Sequence, residues 1–410
     1  MDDGPVAQLS DTHARITDEG IALMRARIGV VVPRERPFNE YASIDGIRHF
    51  VEGHGDDNPL YTDPAYGAGT RWGDMIASPV FLTTTGVSEI KRLRPEVRKL
   101  GEHALAGVHE FFSGDEWEWF LPVYPGDRFT RRYYLYAVDE KERSTFTGGR
   151  SVITKYRADY VNQRGELVAV DRFLFVRAER DAAVKSGKNM SIQRTRYSPE
   201  EIREVEDAYA KQARRGAESR SWEDVSVGDA LPPMVKGPLV LTDVIAWMRG
   251  WGAGVKHSRL AWKDRRHRPK FYSMNDYGIP DIVERVHWED SWARKIGNPI
   301  AYDFGRMRSC YLSEIVTNWM GDDAWLWKMS NQFRAFNYHG DIQWVKGTVT
   351  GKEVDGEGHP LVHLDMSCEN QRGEITAPGK ATVILPSRAS GPVDLPKPGK
   401  HTEGTVQLIY

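Results

Sequence analysis

The sequence predicts an α+β protein built from two similar halves. The pentapeptide Asn-Gln-Arg-Gly-Glu at residues 162–166 recurs unchanged at residues 370–374, 208 positions later. The motif Tyr-Pro-Gly-Asp at 124–127 has a counterpart, Tyr-His-Gly-Asp, at 338–341. β-rich runs flank both pentapeptides, and a turn with Asn and Gly between alternating runs is typical of a β-hairpin. Two landmarks repeated in the same order indicate an internal duplication.

The first half, residues 1–180, begins with a polar tail and continues with helices and then strands. A linker at 181–221 follows, and it carries one well-marked helix. Ser198 and Glu201 form a capping box with Pro199 at the first helical position, and Gly216 marks the expected end. We expect this helix to strap the two halves together. The expected first-half elements are helices near 17–28 and 43–53 and strands at 128–138, 151–160 and 167–176.

The second half, residues 222–388, repeats this plan. Residues 242–254 parallel the helical stretch that begins at Ser43, and β-rich runs follow as in the first half. The tail, 389–410, is rich in Pro and Gly and is expected to be extended. The expected second-half strands lie at 342–352, 361–368 and 380–385.

Composition excludes several classes of protein. The net charge of −2 gives no global field that would favour nucleic acid. Two cysteines, Cys310 and Cys368, are too few for a disulfide framework and fit a reducing compartment. The N-terminus lacks the apolar segment of a secretory signal, and no apolar run approaches the ~20 residues of a membrane-spanning helix. The expectation is a cytoplasmic protein without nucleic-acid or membrane partners.

Residues 55–63, Gly-Asp-Asp-Asn-Pro-Leu-Tyr-Thr-Asp, resemble the signature of the R-specific enoyl-CoA hydratases, the MaoC-like branch of the hotdog superfamily. The family pattern is Gly-Asp-x-Asn-Pro-(Leu/Ile)-His-x-Asp, and its catalytic His falls on Tyr61. The resemblance covers about residues 25–180 and 225–386. It implies a tandem (double) hotdog fold of two curved antiparallel sheets, each wrapped on a long central helix, here expected at 78–93 and 305–319.

The resemblance also implies hydration of a 2-enoyl-CoA or dehydration of a 3-hydroxyacyl-CoA, with coenzyme A as part of the substrate and no separate cofactor. Such chemistry needs a base for the water proton and an acid for Cα, while N–H groups at a helix N-terminus receive the oxyanion. Asp56 takes the family's base position, and Tyr61 replaces its second proton carrier. Asn58 is expected to shape the loop, and Gly73 and Asp74 to lead into the helix and position the substrate.

The second half carries the complementary fragment of the pattern. Residues 287–293 resemble the family's His-x-(Asp/Glu)-x3-Ala, which places His287 at the catalytic histidine. The aspartate is missing there, because its position falls on Val255 or Ile282 depending on the alignment. Gly305 opens the second expected central helix and is a candidate for positioning the substrate.

Three interpretations stay open. In the first, Asp56 works with Tyr61 or another acid. In the second, His287 works with one of three nearby acids, Asp276, Asp281 or Glu289. In the third, the chain is a non-catalytic acyl-thioester binder or a subunit of a hetero-oligomeric hydratase. A composite site of Asp56 and His287 is disfavoured, since pseudo-twofold symmetry places equivalent loops on opposite sides of the sheets.

A basic insertion at about 256–285 adds a candidate coenzyme A site. Residues 256–270 contain three Lys and four Arg with a single acid, Asp264. Arg265, Arg266 and Arg268 are candidates for binding the phosphates, as is Arg306 at the start of the second central helix. A solvated basic loop is the plainer interpretation. No metal site is predicted, and the resemblance allows a homodimer of double-hotdog protomers.

Overall fold

The computed structural model describes residues 14–34, 36–142, 149–179, 190–252, 254–399 and 406–410. The helices are α1 (Asp18–Arg25), α2 (Ile44–His54), α3 (Pro59–Thr62), α4 (Pro64–Ala68), α5 (Pro95–Lys99), α6 (Pro199–Ala210), α7 (Leu241–Trp251), α8 (Ser258–His267), α9 (Asp290–Lys295) and α10 (Gly305–Met320). The strands are β1 (His109–Trp119), β2 (Phe129–Lys141), β3 (Ser151–Asn162), β4 (Leu167–Ala178), β5 (Met234–Lys236), β6 (Tyr272–Met274), β7 (Pro280–Ile282), β8 (Trp325–Gln332), β9 (Gln343–Val354), β10 (Pro360–Asn370) and β11 (Ile375–Ile384).

One nine-stranded antiparallel sheet runs through both halves, in the order β2-β3-β4-β1-β8-β11-β10-β9-β5. The two halves meet where β1 pairs with β8, from Gly114 opposite Gln332 to Glu118 opposite Lys328. The two expected antiparallel sheets are thus joined edge to edge into one continuous sheet. Strands β6 and β7 form a small second sheet inside the insertion.

The repeated motifs lie in corresponding hairpins of the two halves, as predicted. The first pentapeptide forms the turn between β3 and β4, and the second forms the turn between β10 and β11. In each half the pentapeptide Gln donates to the aspartate of the Gly-Asp motif, Gln163 to Asp127 and Gln371 to Asp341, both at 2.8 Å. The two motifs recur together because they contact each other.

The expected central helix of the second half is present as α10. Nearly all of its side chains are buried, including several that carry charge. Buried charges require partners, and each of these has one: Arg308 contacts Asp303, and Glu314 contacts Lys236. The helix therefore passes through the centre of the molecule rather than along its surface.

The prediction of a central helix at 78–93 in the first half is wrong. That stretch contains only a 3-10 helix, Pro79–Thr84, followed by irregular backbone. The hydroxyls of Thr83, Thr84 and Thr85 each donate to the carbonyl three residues earlier, at 2.9–3.0 Å. Such bonds compete with helix propagation. Gly86 then adopts φ +87°, which ends the segment.

Helices α2 and α7, the matched helices of the two halves, cross at two glycines. A Cβ on Gly53 would lie 3.1 Å from the carbonyl oxygen of Ala246, and one on Gly250 would lie 2.4 Å from that of His49. The absence of side chains here lets the two backbones approach closely. This crossing brings the end of α2, and the loop after it, against the second half.

The linker helix α6 has the predicted capping box, with Ser198 and Glu201 exchanging hydrogen bonds. It ends at Ala210 rather than near Gly216. Val205 of α6 packs against Val235 of β5, so the helix lies on the second half. The expected boundary at residue 180 and the linker up to 189 lie outside the described residues, as do 400–405 of the tail.

Candidate active site

The loop after α2 places Asp56 inside the protein. Helix α2 ends at His54, and Gly55 adopts the left-handed conformation that turns the chain. The Asp56 carboxylate then accepts from the backbone N–H of Asn58 at 3.0 Å, and Asn58 caps α3 by accepting from Leu60 at 3.0 Å. Both side chains are buried, with Asp56 only 4% exposed. The expected loop-shaping role of Asn58 thus has a structural basis.

The Asp56 carboxyl has an unusual electrostatic environment. Burial raises its pKa to about 6, and the nearby carboxylate of Glu314 acts in the same direction. His54, Lys236 and Arg214 oppose this shift without cancelling it. A buried carboxyl whose pKa lies near neutrality is typical of groups that exchange protons in catalysis.

Tyr61 lies near this carboxyl but is a poor proton carrier. Its side chain is buried in α3, and burial together with the charge of Asp56 raises the pKa of the phenol well above its usual range. The phenol therefore stays protonated and can serve as a hydrogen-bond donor. Thr317 of α10 is its hydrogen-bond partner.

An apolar cleft begins at Asn58 and Tyr61 and runs between the 3-10 helix and the end of α10. Its free volume is small, about 40 Å³. The Ser78 hydroxyl is buried in its wall and has no hydrogen-bond partner within the described residues. The other residues that line the cleft are Leu60, Trp72, Ile76, Ala77, Pro79, Leu82, Trp119, Leu121, Pro122, Val123, Thr317, Met320, Gly321, Asp322, Ala324, Trp325 and Leu326.

A second, more polar cavity of about 270 Å³ is lined by residues that immediately precede the loop. His54 and Gly55 form one wall, and Lys236 and Tyr311 form another. The ammonium group of Lys236 donates to the carbonyl oxygens of His54 at 3.2 Å and Gly55 at 2.8 Å, and to Glu314 Oε1 at 2.9 Å. Lys236 thereby holds the end of α2 against the central helix.

This buried group of His54, Lys236 and Glu314 was missed in the sequence. Lys236 and Glu314 lie 78 residues apart and carry no local motif. His54 stands only two positions before Asp56. The direction of its side chain is set by helix α2, which continues through His54 and is capped by Gly55. A histidine in the last turn before the signature was the one available signal.

The structure does not bring His287 together with the acids considered for it. Its side chain is half-buried, with Nδ1 2.9 Å from the carbonyl oxygen of Tyr302, and it stacks on Phe304 at a centroid distance of 3.7 Å. Burial lowers the pKa of this imidazole to about 4. The three acids contact other groups: Asp276 pairs with Lys295, Asp281 with the N–H of Ile282, and Glu289 with Arg285.

Of the predicted substrate-positioning residues, Asn58 lines the apolar cleft, whereas Gly73, Asp74 and Gly305 line neither cavity. Gly73 has φ +71° and is exposed, and Asp74 accepts from the N–H of Met75 at 2.7 Å, so the two form a turn. Gly305 begins α10 as expected, where a Cβ would lie 3.2 Å from the ring of Phe112.

Arg306 does not face solvent and is not available to a phosphate. Its guanidinium lies 3.3 Å from Asp115 and 3.2 Å from Asp171, both buried in the first half of the sheet. The expectation that it binds coenzyme A is corrected on this ground, because it is committed to joining the central helix to β1 and β4.

The basic insertion forms helix α8 and the small sheet. Arg268 pairs with Asp264 at 2.7 Å, Arg266 lies over the ring of Trp262, and Arg265 is half-buried. Of these three, Arg266 is therefore the most available to a ligand.

Among the described residues, no cluster of His, Cys, Asp and Glu has the geometry of a metal site. The helices of the described part of the chain are too short or too polar to cross a membrane.

Comparison with known proteins supports a family assignment. The model of the FAS1-like, dehydratase domain region matches residues 36–171. A relative from Thermomonospora curvata, described as a probable enoyl-CoA hydratase alpha subunit, is 25% identical over 162 residues, or 38% of this chain. The chain spans about half the length of that relative.

Two solved structures share the fold. A MaoC-like dehydratase has a TM-score of 0.60 at 16% identity, covering 88% of this chain and 99% of its own. A MaoC domain protein dehydratase from Chloroflexus aurantiacus has a TM-score of 0.53 at 11% identity, covering 88% and 96%. The matched domain model, the sequence relative and this fold together support a relationship to the MaoC-like hotdog family.

Proposed function

We propose that this protein is a hydro-lyase that adds water to a 2-enoyl-CoA, or removes it from a 3-hydroxyacyl-CoA, and that the Asp56 loop is its working site. The observation that carries the proposal is Asp56 itself. It is a buried carboxyl with a pKa near neutrality, at the position that bears the family's catalytic aspartate. Its neighbours Gly55 and Asn58 line the polar cavity and the apolar cleft, respectively.

The apolar cleft suits the acyl chain of such a substrate. Trp72, Trp119 and Trp325 supply much of its wall, while Tyr61 and Ser78 offer hydroxyl groups at its polar end. This mixture of apolar walls and a few polar groups is typical of small-molecule sites. Because the free volume is small, a short acyl chain fits with less rearrangement than a bulky one.

The tandem hotdog arrangement is part of the same proposal. The two hotdog units would be residues 1–180 and 222–388, joined through the linker at 181–221 and followed by the tail at 389–410. The matched hairpins and the α2–α7 crossing support this division. The single central helix α10 then serves both units, since it pairs with charges in each.

Coenzyme A would be present only as part of the substrate. Arg265 and Arg266 on α8 remain the candidates for its phosphates, because Arg268 is paired with Asp264. A homodimer of such protomers also remains a proposal.

The experiment incubates the protein with crotonyl-CoA or with a bulkier enoyl-CoA. Turnover is measured as the loss of the absorbance of the conjugated thioester. We expect turnover of crotonyl-CoA and slower turnover of branched or ring-bearing thioesters. Failure of the chain to bind or convert any of them would contradict the proposal.

A second candidate function is supported by Tyr61, which replaces the family histidine, and by the name of the curated relative, an alpha subunit. The chain would then bind acyl thioesters without converting them, or would require a partner subunit. Binding of acyl-CoA without turnover by the isolated chain, with turnover restored by a partner that supplies an imidazole, would favour this alternative.

A further inference from the structure

His54 is the one imidazole of the described chain that lies beside the Asp56 carboxyl. Its side chain is buried, the residue being 6% exposed, and it forms part of the wall of the polar cavity. Within the described residues neither ring nitrogen has a hydrogen-bond partner. Nδ1 lies 3.7 Å from the nearest carboxylate oxygen of Glu314, which is beyond hydrogen-bond distance.

The groups around His54 enclose its ring without giving either nitrogen a hydrogen bond. The N–H groups of Lys236 are directed to Glu314 and to the carbonyl oxygens of His54 and Gly55, rather than to the imidazole. Phe50 contacts the ring edge-on and gives it no hydrogen bond. Water from the adjoining 270 Å³ cavity would satisfy this imidazole after a small shift of the side chains that enclose it.

We propose that His54, rather than Tyr61, is the second proton-transferring group of the site, and that the polar cavity beside it holds the reacting water. This inference rests on the proposed hydration of an enoyl thioester. It gives each cavity a part: the apolar cleft holds the acyl chain, and the polar cavity supplies the water that adds to Cβ.

The step can be written with all atoms accounted for. The water oxygen forms a bond to Cβ while a ring nitrogen of His54 takes one water proton. The electrons of the Cα–Cβ double bond form a new Cα–H bond with the proton of Asp56. The product is the 3-hydroxyacyl thioester, with His54 left as imidazolium and Asp56 as carboxylate. Transfer of one proton from His54 to Asp56 restores the starting state.

The pKa shifts of the two groups agree with His54 as the base and Asp56 as the acid. Burial lowers the pKa of His54 to about 4, with Lys236 acting in the same direction and Asp56 opposing it. Burial and Glu314 raise the pKa of Asp56 to about 6, against Lys236 and Arg214. A single proton shared by the pair therefore resides on Asp56, and His54 keeps its lone pair. Asp56 thus acts as the acid rather than the base that the family resemblance implied.

The pH dependence of the wild-type rate tests the pair without any substitution. Since the step needs neutral His54 and protonated Asp56, kcat/KM should be bell-shaped, with limbs near pH 4 and pH 6. A rate that keeps rising above pH 6 would overturn the proposal, because it would make Asp56 the base.

Substitution tests His54 separately. His54→Gln should lower kcat at least 100-fold, the low end for a lost general base, whereas His49→Gln on the same helix should stay within twofold. Added imidazole should restore part of the activity of His54→Ala, in proportion to its free-base concentration, and should not stimulate His49→Ala. Wild-type-like kcat in His54→Gln would overturn the proposal.

The two proposals fail in different ways. In one outcome, the wild-type chain hydrates crotonyl-CoA, Asp56→Asn is inactive and His54→Gln stays active. The proposed function then stands, and His54 is excluded as a proton-transferring group. If the wild-type chain shows no turnover of any enoyl-CoA, the proposed function falls, and the role of His54 falls with it.

Discussion

The ammonium group of Lys236 lies 2.9 Å from Oε1 of Glu314, and both side chains are buried. The pair joins β5, the last strand of the sheet, to the central helix α10. The same ammonium group holds the final carbonyls of α2, so the ion pair supports the end of the helix from which the Asp56 loop departs. The ion pair therefore links the stability of the protein to the geometry of the site.

Removing one member of this pair should be costly. Lys236→Met leaves Glu314 buried without its counter-charge, which should lower the free energy of unfolding by about 3–5 kcal/mol. The double variant Lys236→Met with Glu314→Gln should recover much of that loss, because no isolated charge remains. Urea denaturation of the two single variants and the double variant measures this. A double variant as costly as the sum of the singles would mean that the two residues act independently.

The duplicated hairpins offer a matched comparison of two aspartates. Asp341 accepts two hydrogen bonds from Arg372, at 2.6 and 2.7 Å, whereas Arg164 lies 3.4 Å from Asp127. Bidentate charge-assisted bonds are the stronger kind. Asp341→Ala should therefore destabilise the protein more than Asp127→Ala, by roughly 1–2 kcal/mol. Equal losses in thermal or urea unfolding would show that the bidentate contact adds nothing.

Tyr61→Phe should change kcat by less than about tenfold, well below the ~10²–10⁴ of a lost proton carrier. The reason is that burial and Asp56 raise the pKa of the phenol, so that it does not ionise during turnover. Tyr66→Phe is the matched control, since it removes a neighbouring hydroxyl that donates to Asp322 instead. A loss of 100-fold or more in Tyr61→Phe alone would return this residue to the role of acid.

The double variant Arg265→Ala with Arg266→Ala should raise KM for crotonyl-CoA about tenfold, corresponding to a lost 1.4 kcal/mol. It should leave KM for a truncated pantetheine thioester nearly unchanged, because that substrate lacks the nucleotide phosphates. Arg203→Ala on α6 serves as the exposed control. An equal rise in KM for both substrates would indicate a folding defect in the insertion.

Local signals in the sequence predicted much of the fold. The capping box at Ser198 and the repeated pentapeptides each encode their structure within a few residues, and each lies as predicted. The prediction of a central helix in the first half was wrong, because three threonines and Gly86 limit that segment to a 3-10 helix of six residues. That competition between side-chain and backbone hydrogen bonds is hard to weigh from a family pattern alone.

The candidate site could be predicted only in part. Asp56 and Asn58 follow from the signature, and the structure buries both. Lys236 and Glu314 reach the loop through the packing of β5 and α10, which no local motif encodes. His287 matches the family pattern in sequence, yet the packing of Tyr302 and Phe304 encloses it and leaves its expected acids elsewhere.

The most direct test of the account is the turnover of crotonyl-CoA by Asp56→Asn. The amide keeps the carbonyl oxygen that accepts from Asn58 but cannot exchange the catalytic proton, so kcat should fall by ~10²–10⁴. Asp63→Asn, an exposed carboxyl in the same loop whose helix cap the amide preserves, should remain within twofold of wild type. Asp56→Asn with wild-type turnover and an unchanged melting temperature would contradict the account, because it would remove the Asp56 loop from the chemistry.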